Sequence, residues 1–350
     1  MTAEAEGQGG TPAAPKRPPL GLVGPNPNFP GAWAEAVEKI KLADQLGYDA
    51  VWLGETWGYD LVARLTELAL VTERIKIGSG IFNVFSRSPG IIASAIATLD
   101  ERSGGRMLLG LGSSGAYVIE HWHGVPFDRP LRRIREYAEI VNLILRREKL
   151  VYHGEIFDLE RGFKLQFTPL RDHIPVYIAA ITPRSIAQTG EIADGILPIY
   201  WPGDQYPELR RLLDEGSAAA GRPPGSVAIA PYITSRVVAD EAARAQARDE
   251  ARGPIAFYAG RMGRFYAEML ERYGFADEVA AIRRGWQEGP EAATAAVSDR
   301  MLDATAIVGT VDEVRAKIDA WAALGVDQPL LSMPPGTPDE AGQVLEALIR

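Results

Sequence analysis

The residues best suited to chemistry sit where apolar runs stop. The run DAVWLGE, residues 49–55, is almost continuously apolar until Glu55 closes it. A carboxylate in that position is costly unless it has partners. It can accept hydrogen bonds from a ligand ring N–H or handle a proton, or it can form a salt bridge, with Arg87 or Arg106 as the candidates. The run SGIFNVFSRSP places Ser79 and Gly80 at a strand end, with Asn83 in the polar and apolar loop that follows. Further on, Gly110, Gly112 and Gly115 fit GxGxxG. As a dinucleotide fingerprint this fails, because it lies on the fourth strand and Asp128, at the matching distance, precedes a helix. The loop Gly112-Ser113-Ser114-Gly115 still offers small residues and backbone N–H groups to a flat or anionic ligand. In AAITPRSIAQTGE, Ala179 and Ala180 end a strand, and Thr182 precedes a helix whose N-terminus suits a phosphate. Thr182 also reads as a plain helix cap.

Composition removes other chemistries. The chain has no cysteine, which excludes disulfides, thiolate catalysis and thiolate metal sites. Its four histidines, His121, His123, His153 and His173, form no HExxH pattern, and no metal is expected. With a net charge of −9 and no basic tail or stripe, nucleic acid is a poor partner. No window reads as a membrane span, and residues 1–19 lack the apolar core of a signal peptide. These residues read as a disordered tail, and the expected compartment is the cytoplasm.

Strands and helices alternate through most of the chain. Strands are expected at 20–24, 49–55, 75–81, 106–112, 175–180, 195–200, 227–234 and 329–333, and helices at about 32–46, 60–71, 90–101, 130–147, 204–220, 311–324 and 338–349. Asp60 is a cap and Gly47 a stop. Residues 149–168 read as a small antiparallel excursion with turns at HGE and ERG. Arg129, Arg132, Arg133 and Arg135 read as a solvated face. Residues 240–300 read as an Ala-rich helical insertion covering one end. The 20–350 region is thus a single domain. Eight parallel strands with helical connections close into a (β/α)8 TIM barrel, whose sites lie at the C-terminal strand ends.

The stretches LADQLGYDAVWLGE, RIKIGSGIFNVFSRSP, ASAIATLDERSGGRMLLGLGSSG, EHWHGVPFDRPLRRIREYAEIV, PVYIAAITPRSIAQTGEIADG and AIVGTVDEVRAKIDAWAALGVD carry a resemblance. The chain resembles the luciferase-like flavin and deazaflavin oxidoreductases, above all the branch similar to methylenetetrahydromethanopterin reductase. That resemblance implies a barrel binding coenzyme F420, with FMN the alternative. It implies a non-prolyl cis peptide at Gly80–Ile81 behind the ring, and cofactor contacts at Glu55, Ser79, Gly80, Ile81, Asn83, Gly112–Gly115, Ala179, Ala180 and Thr182. Many relatives carry Asp-His after strand two. Here Glu55-Thr56 stand there, followed by Trp57, so the imidazole is absent, with His121 and His123 as candidates by resemblance. The activity implied is hydride transfer between F420 and an organic small molecule, with Glu55 and Trp57 at the reacting centre. Trp57, Phe85 and Trp201 would wall the substrate side. An FMN-dependent monooxygenase is the rival, a non-catalytic barrel a third reading, and a homodimer is implied.

Overall fold

The computed structural model describes residues 17–25 and 31–350. The tail reading for residues 1–16 and part of the loop after the first strand lie outside the described residues. Arg17, at the edge of that tail, forms an exposed ion pair with Asp319 at 3.2 Å.

The strands are β1 (Gly21–Val23), β2 (Ala50–Leu53), β3 (Lys76–Ser79), β4 (Phe82–Asn83), β5 (Met107–Gly112), β6 (Leu150–His153), β7 (Asp158–Phe163), β8 (Val176–Ile178), β9 (Gly195–Ile196), β10 (Ala228–Ile229), β11 (Tyr232–Val237), β12 (Ala306–Gly309) and β13 (Leu330–Ser332). Outside the β6–β7 hairpin, every pairing between named strands is parallel. The sheet runs β10-β9-β8-β5-β3-β2-β1-β13-β11, and only Ala230 and Pro231 separate β10 from β11. One bent strand therefore joins both ends of the sheet, with β9 on one edge and β13 on the other, and the barrel closes.

Alternation explains the two layers of core. Ala50 and Trp52 of β2 face inward with Leu108, Leu197, Ala230 and Leu330, while Val51 and Leu53 face the helices. Trp52 fills the barrel interior and meets Tyr177 edge-on at 4.9 Å. Gly78 beside it is small for that reason: a Cβ there would lie 2.2 Å from the indole. Helix ends obey local chemistry. Asp60 accepts from Ala63 N at 3.0 Å to start helix Leu61–Val71, and Gly47 ends helix Ala32–Leu46 at φ 90°.

The amino end of the barrel is tied by charged side chains. Asp44 accepts from the backbone N–H groups of Glu73, Arg74 and Ile75 at 2.7–2.9 Å. Burial alone would raise its carboxyl, but those three donors and the nearby Arg74 outweigh it and hold it below the ordinary range. Arg106 donates to the carbonyls of Ala69, Thr72, Ile75 and Ser103, so it is not the partner of Glu55. Asp100 accepts from Arg171 Nε at 2.9 Å and from Met107 N at 3.1 Å.

Several expectations need correction. The third strand breaks after Ser79 and resumes as β4, which pairs with β5. The ERG turn is absent: Glu160, Arg161 and Gly162 lie inside β7. Strand β12 went unforeseen. It pairs with β11 in register from Thr234↔Ala306 to Val237↔Gly309. Among the basic cluster, Arg132 and Arg133 pair with Glu155 and Asp128. Residues 241–305 contain helices Glu241–Arg261, Phe265–Arg272, Ala276–Glu288, Pro290–Ala295 and Asp299–Thr305, which leave the barrel after β11 and return at β12. Among the described residues, no helix is long and apolar enough to cross a membrane.

Candidate active site

Strands β2, β3, β5 and β8 are consecutive neighbours, so the loops at their carboxyl ends adjoin. The peptide Gly80–Ile81 is cis, at the position the resemblance implied. Its Ile81 side chain meets the next two strands. A Cβ on Gly112 would lie 3.0 Å from Ile81 and 3.2 Å from the Ala179 methyl. Ile81, Gly112 and Ala179 thus adjoin as one floor, and Ala180, buried, follows directly.

Several of the other candidates are held by the protein itself. Ser79 is fully buried, and its hydroxyl accepts from Gly110 N at 2.8 Å and donates to Gly110 O at 3.1 Å. The hydroxyl is thus committed to Gly110 and not to the mouth. Gly110 belongs to that contact: a Cβ there would lie 1.8 Å from the Ser79 carbonyl oxygen. The Asn83 Oδ1 accepts from Phe85 N at 3.0 Å and Ser86 N at 2.8 Å, shaping the loop, while its Nδ2 lies 3.5 Å from His123 Nε2. Thr182 caps helix Pro183–Ile192 in a capping box with Ser185. Ser113 donates to the Ser114 carbonyl at 3.1 Å, and Ser114 sits at φ 57°. Gly115 opens helix Ala116–His121, and the space a Cβ would need there is free to 3.7 Å, where Met262 of the inserted segment begins.

Glu55 has a partner and a vacancy. One oxygen pairs with Arg87 Nη1, and Arg87 Nη2 also donates to Asp60 at 2.7 Å. Tyr137 donates to the Arg87 carbonyl at 2.6 Å and steadies that loop. The other oxygen, Oε2, is buried and makes no hydrogen bond. Its side chain is only 8 % exposed. A buried acceptor left open costs about 1–3 kcal/mol, so a donor from a bound group would relieve it.

The expected aromatic wall is largely core. Phe85 is buried and stacks on Phe127 at 5.2 Å, and Trp201 is buried against Tyr273 at 4.9 Å. Apolarity alone did not distinguish residues of the mouth from residues of the shell. Trp57 is 51 % exposed in the loop after β2.

Tyr232 belongs to this end of the barrel although no motif marks it. Its hydroxyl donates to the Gly80 carbonyl at 3.3 Å from inside the barrel. A Cβ on Gly80 would lie 1.5 Å from that hydroxyl, so only glycine fits. Burial, then the nearby Tyr258, raise the phenol well above its usual value. Tyr200, at φ 54°, meets Tyr258 at a tilt with ring centroids 5.0 Å apart, and Tyr258 meets Tyr266 at 4.8 Å, which joins the inserted helices to the strand ends. The alternation in PYITSRV was the available signal for Tyr232. On the distant hairpin, His153, Asp158 and Glu160 cluster in the open and lie outside this site.

These features define a (β/α)8 barrel whose carboxyl-end loops carry Gly80, Gly112 and Gly115. The chain belongs to the luciferase-like monooxygenase family, whose sequence pattern matches residues 10–328. It is 33% identical over 305 residues to a Mycobacterium tuberculosis protein named "putative coenzyme F420-dependent oxidoreductase", covering 83% of this chain and 88% of that one. It is 32% identical over 308 residues to the 5,10-methylenetetrahydromethanopterin reductase of Archaeoglobus fulgidus, covering 86% and 90%. The structure resembles the coenzyme F420-dependent tetrahydromethanopterin reductase of Methanopyrus kandleri, with a TM-score of 0.82, 25% identity and coverage of 96% and 98%.

Proposed function

We propose that this protein is an F420-dependent oxidoreductase acting on a small organic substrate. The observation that carries the reading is the unpaired Glu55 Oε2, buried in the loop after β2, whose neighbour β3 leads to Ile81. That donor-seeking oxygen and the missing Cβ atoms suit a flat ring with an N–H edge. The relatives named above support F420 as the ring.

Ile81 and the Gly80 backbone would support the ring from below, with Tyr232 bracing the Gly80 carbonyl. The loop Gly112–Gly115, Ala179, Ala180 and the start of helix Pro183–Ile192 would hold the phosphate end. Glu55 would accept the ring N–H at Oε2, oriented by Arg87. When bound, F420 supplies hydride transfer. Trp57 would border the substrate, and the inserted helices would exclude water. The reading includes a homodimer: Leu70, Val71 and Ile91 are exposed on the packed helices Leu61–Val71 and Pro89–Ser103.

The test is titration of purified apoprotein with F420 and, separately, with FMN, followed by absorbance. Saturable F420 binding is expected. Tight binding of FMN alone, with oxygen consumption by the reduced complex, overturns the cofactor assignment. Light scattering reads the dimer.

A further inference from the structure

Strand β11 carries a second polar feature that the cofactor seat does not use. Side chains alternate along a strand, so Arg236 shares a face with Tyr232, four residues before it. Tyr232 lines the barrel interior and reaches Gly80. Arg236 therefore stands higher on the same inner wall, five residues before helix Glu241–Arg261 begins. Among the described residues it has no carboxylate partner. Its Nη1 donates to the carbonyl of Ser235 at 2.9 Å, and its Nε is buried without a hydrogen bond. The bond to Nη1 leaves the edge formed by Nε and Nη2 without a hydrogen-bond partner. That edge presents two parallel N–H groups, the geometry that receives two oxygens of a carboxylate or phosphate. The contrast with nearby cations is informative. Arg248 and Arg252, on the inserted helix, are bound to Asp299, and Arg244 to Glu313.

The geometry points to Arg236 as the anchor for an anionic group, carboxylate or phosphate, on the substrate. The inference rests on the barrel mouth being the active site. It places the substrate's charged end against β11, on the wall that faces β3 across the ring's seat, with β9 between it and the loops after β8 and β5. The selected substrates are then organic acids or phosphate esters, not neutral molecules.

The experiment compares the wild type with Arg236→Gln and Arg236→Lys. Thermal stability is followed while inorganic phosphate, and in a second arm acetate, is titrated in, with and without saturating F420. The wild type should be stabilised by at least one of the two anions, and the arm that responds distinguishes phosphate from carboxylate. Arg236→Gln should weaken that anion tenfold or more. Arg236→Lys, which keeps the charge and loses the fork, should weaken it about three- to tenfold. F420 affinity should stay within twofold in both variants. No anion response in the wild type, or variants within twofold of it, overturns the assignment. Should Gln at 236 prevent folding, the Lys variant still decides. The apoprotein arm needs no cofactor, so failure to bind F420 would remove the cofactor reading and leave the anion result standing by itself.

Discussion

The two ends of the barrel treat charge differently. At the amino end, Asp44, Asp100, Arg106 and Arg171 each find several partners, most of them backbone groups. A cavity of about 320 Å³ there is bordered by Lys76 and Asp49, which pair at 3.0 Å, and by Arg171, committed to Asp100. At the carboxyl end, Glu55 Oε2 and Arg236 Nε are buried without partners, and Ser114 and Tyr200 hold positive φ. The groups named at the first end are paired, and those named at the second are not. A completed network holds strands in place, and an incomplete one is a place for a ligand to finish.

The comparison can be broken at its strongest point first. Gly110→Ala forces a methyl onto the Ser79 carbonyl, backbone against backbone, and should cost more than about 4 kcal/mol. Soluble, cooperatively unfolding protein would show that the wall yields. Asp100→Ala strands the buried end of Arg171 and the Met107 N–H, and should cost about 3–5 kcal/mol in urea unfolding.

Asp44→Asn should cost about 1.5–3 kcal/mol, because one of the two accepting oxygens becomes an NH2 that faces a backbone N–H, and the acceptor that remains is neutral. Its acid dependence has a defined sign. The folded carboxyl sits below its unfolded value of about 3.9, so its stabilisation is present above that pH and is lost as pH falls through the folded value. Urea midpoints measured from pH 7 to pH 3 should therefore drop less steeply in the Asn variant. An equal slope would deny Asp44 its part in closing the amino end.

Across the molecule, Glu55→Gln should leave thermal stability nearly unchanged yet weaken F420 about tenfold, near 1.4 kcal/mol. Unaltered binding and turnover would make that carboxylate a loop anchor through Arg87 and nothing more. The smallest change is expected at Gly115→Ala, within about 0.5 kcal/mol in stability, since its Cβ meets only Met262 at 3.7 Å. A large loss there would mean that the mouth is as tightly packed as the wall.

Much of this arrangement is legible in the residues. Apolar runs ending in glycine or alanine mark the strand ends, and the resemblance places the cis bond at Gly80–Ile81. What escaped is what depends on distant partners. Four residues, Ala306–Gly309, are too short to read as a strand behind an Ala-rich helix, and only pairing with β11 makes them one. Ser79 looks like a ligand donor until Gly110 lies opposite it. Phe85 and Trp201 look like a wall until Phe127 and Tyr273 cover them. Arg236 is one arginine among many until its neighbours prove to lack a carboxylate.

The inserted helices leave from the top of β11 and come back into β12, which lies alongside that same stretch of β11. Departure and return are thus separated by less than one strand's length. An excursion hinged on so narrow a footing can be lengthened, shortened or exchanged while the eight staves keep their register. Variation in the inserted helices, without renegotiating how the vessel is built, follows from that junction.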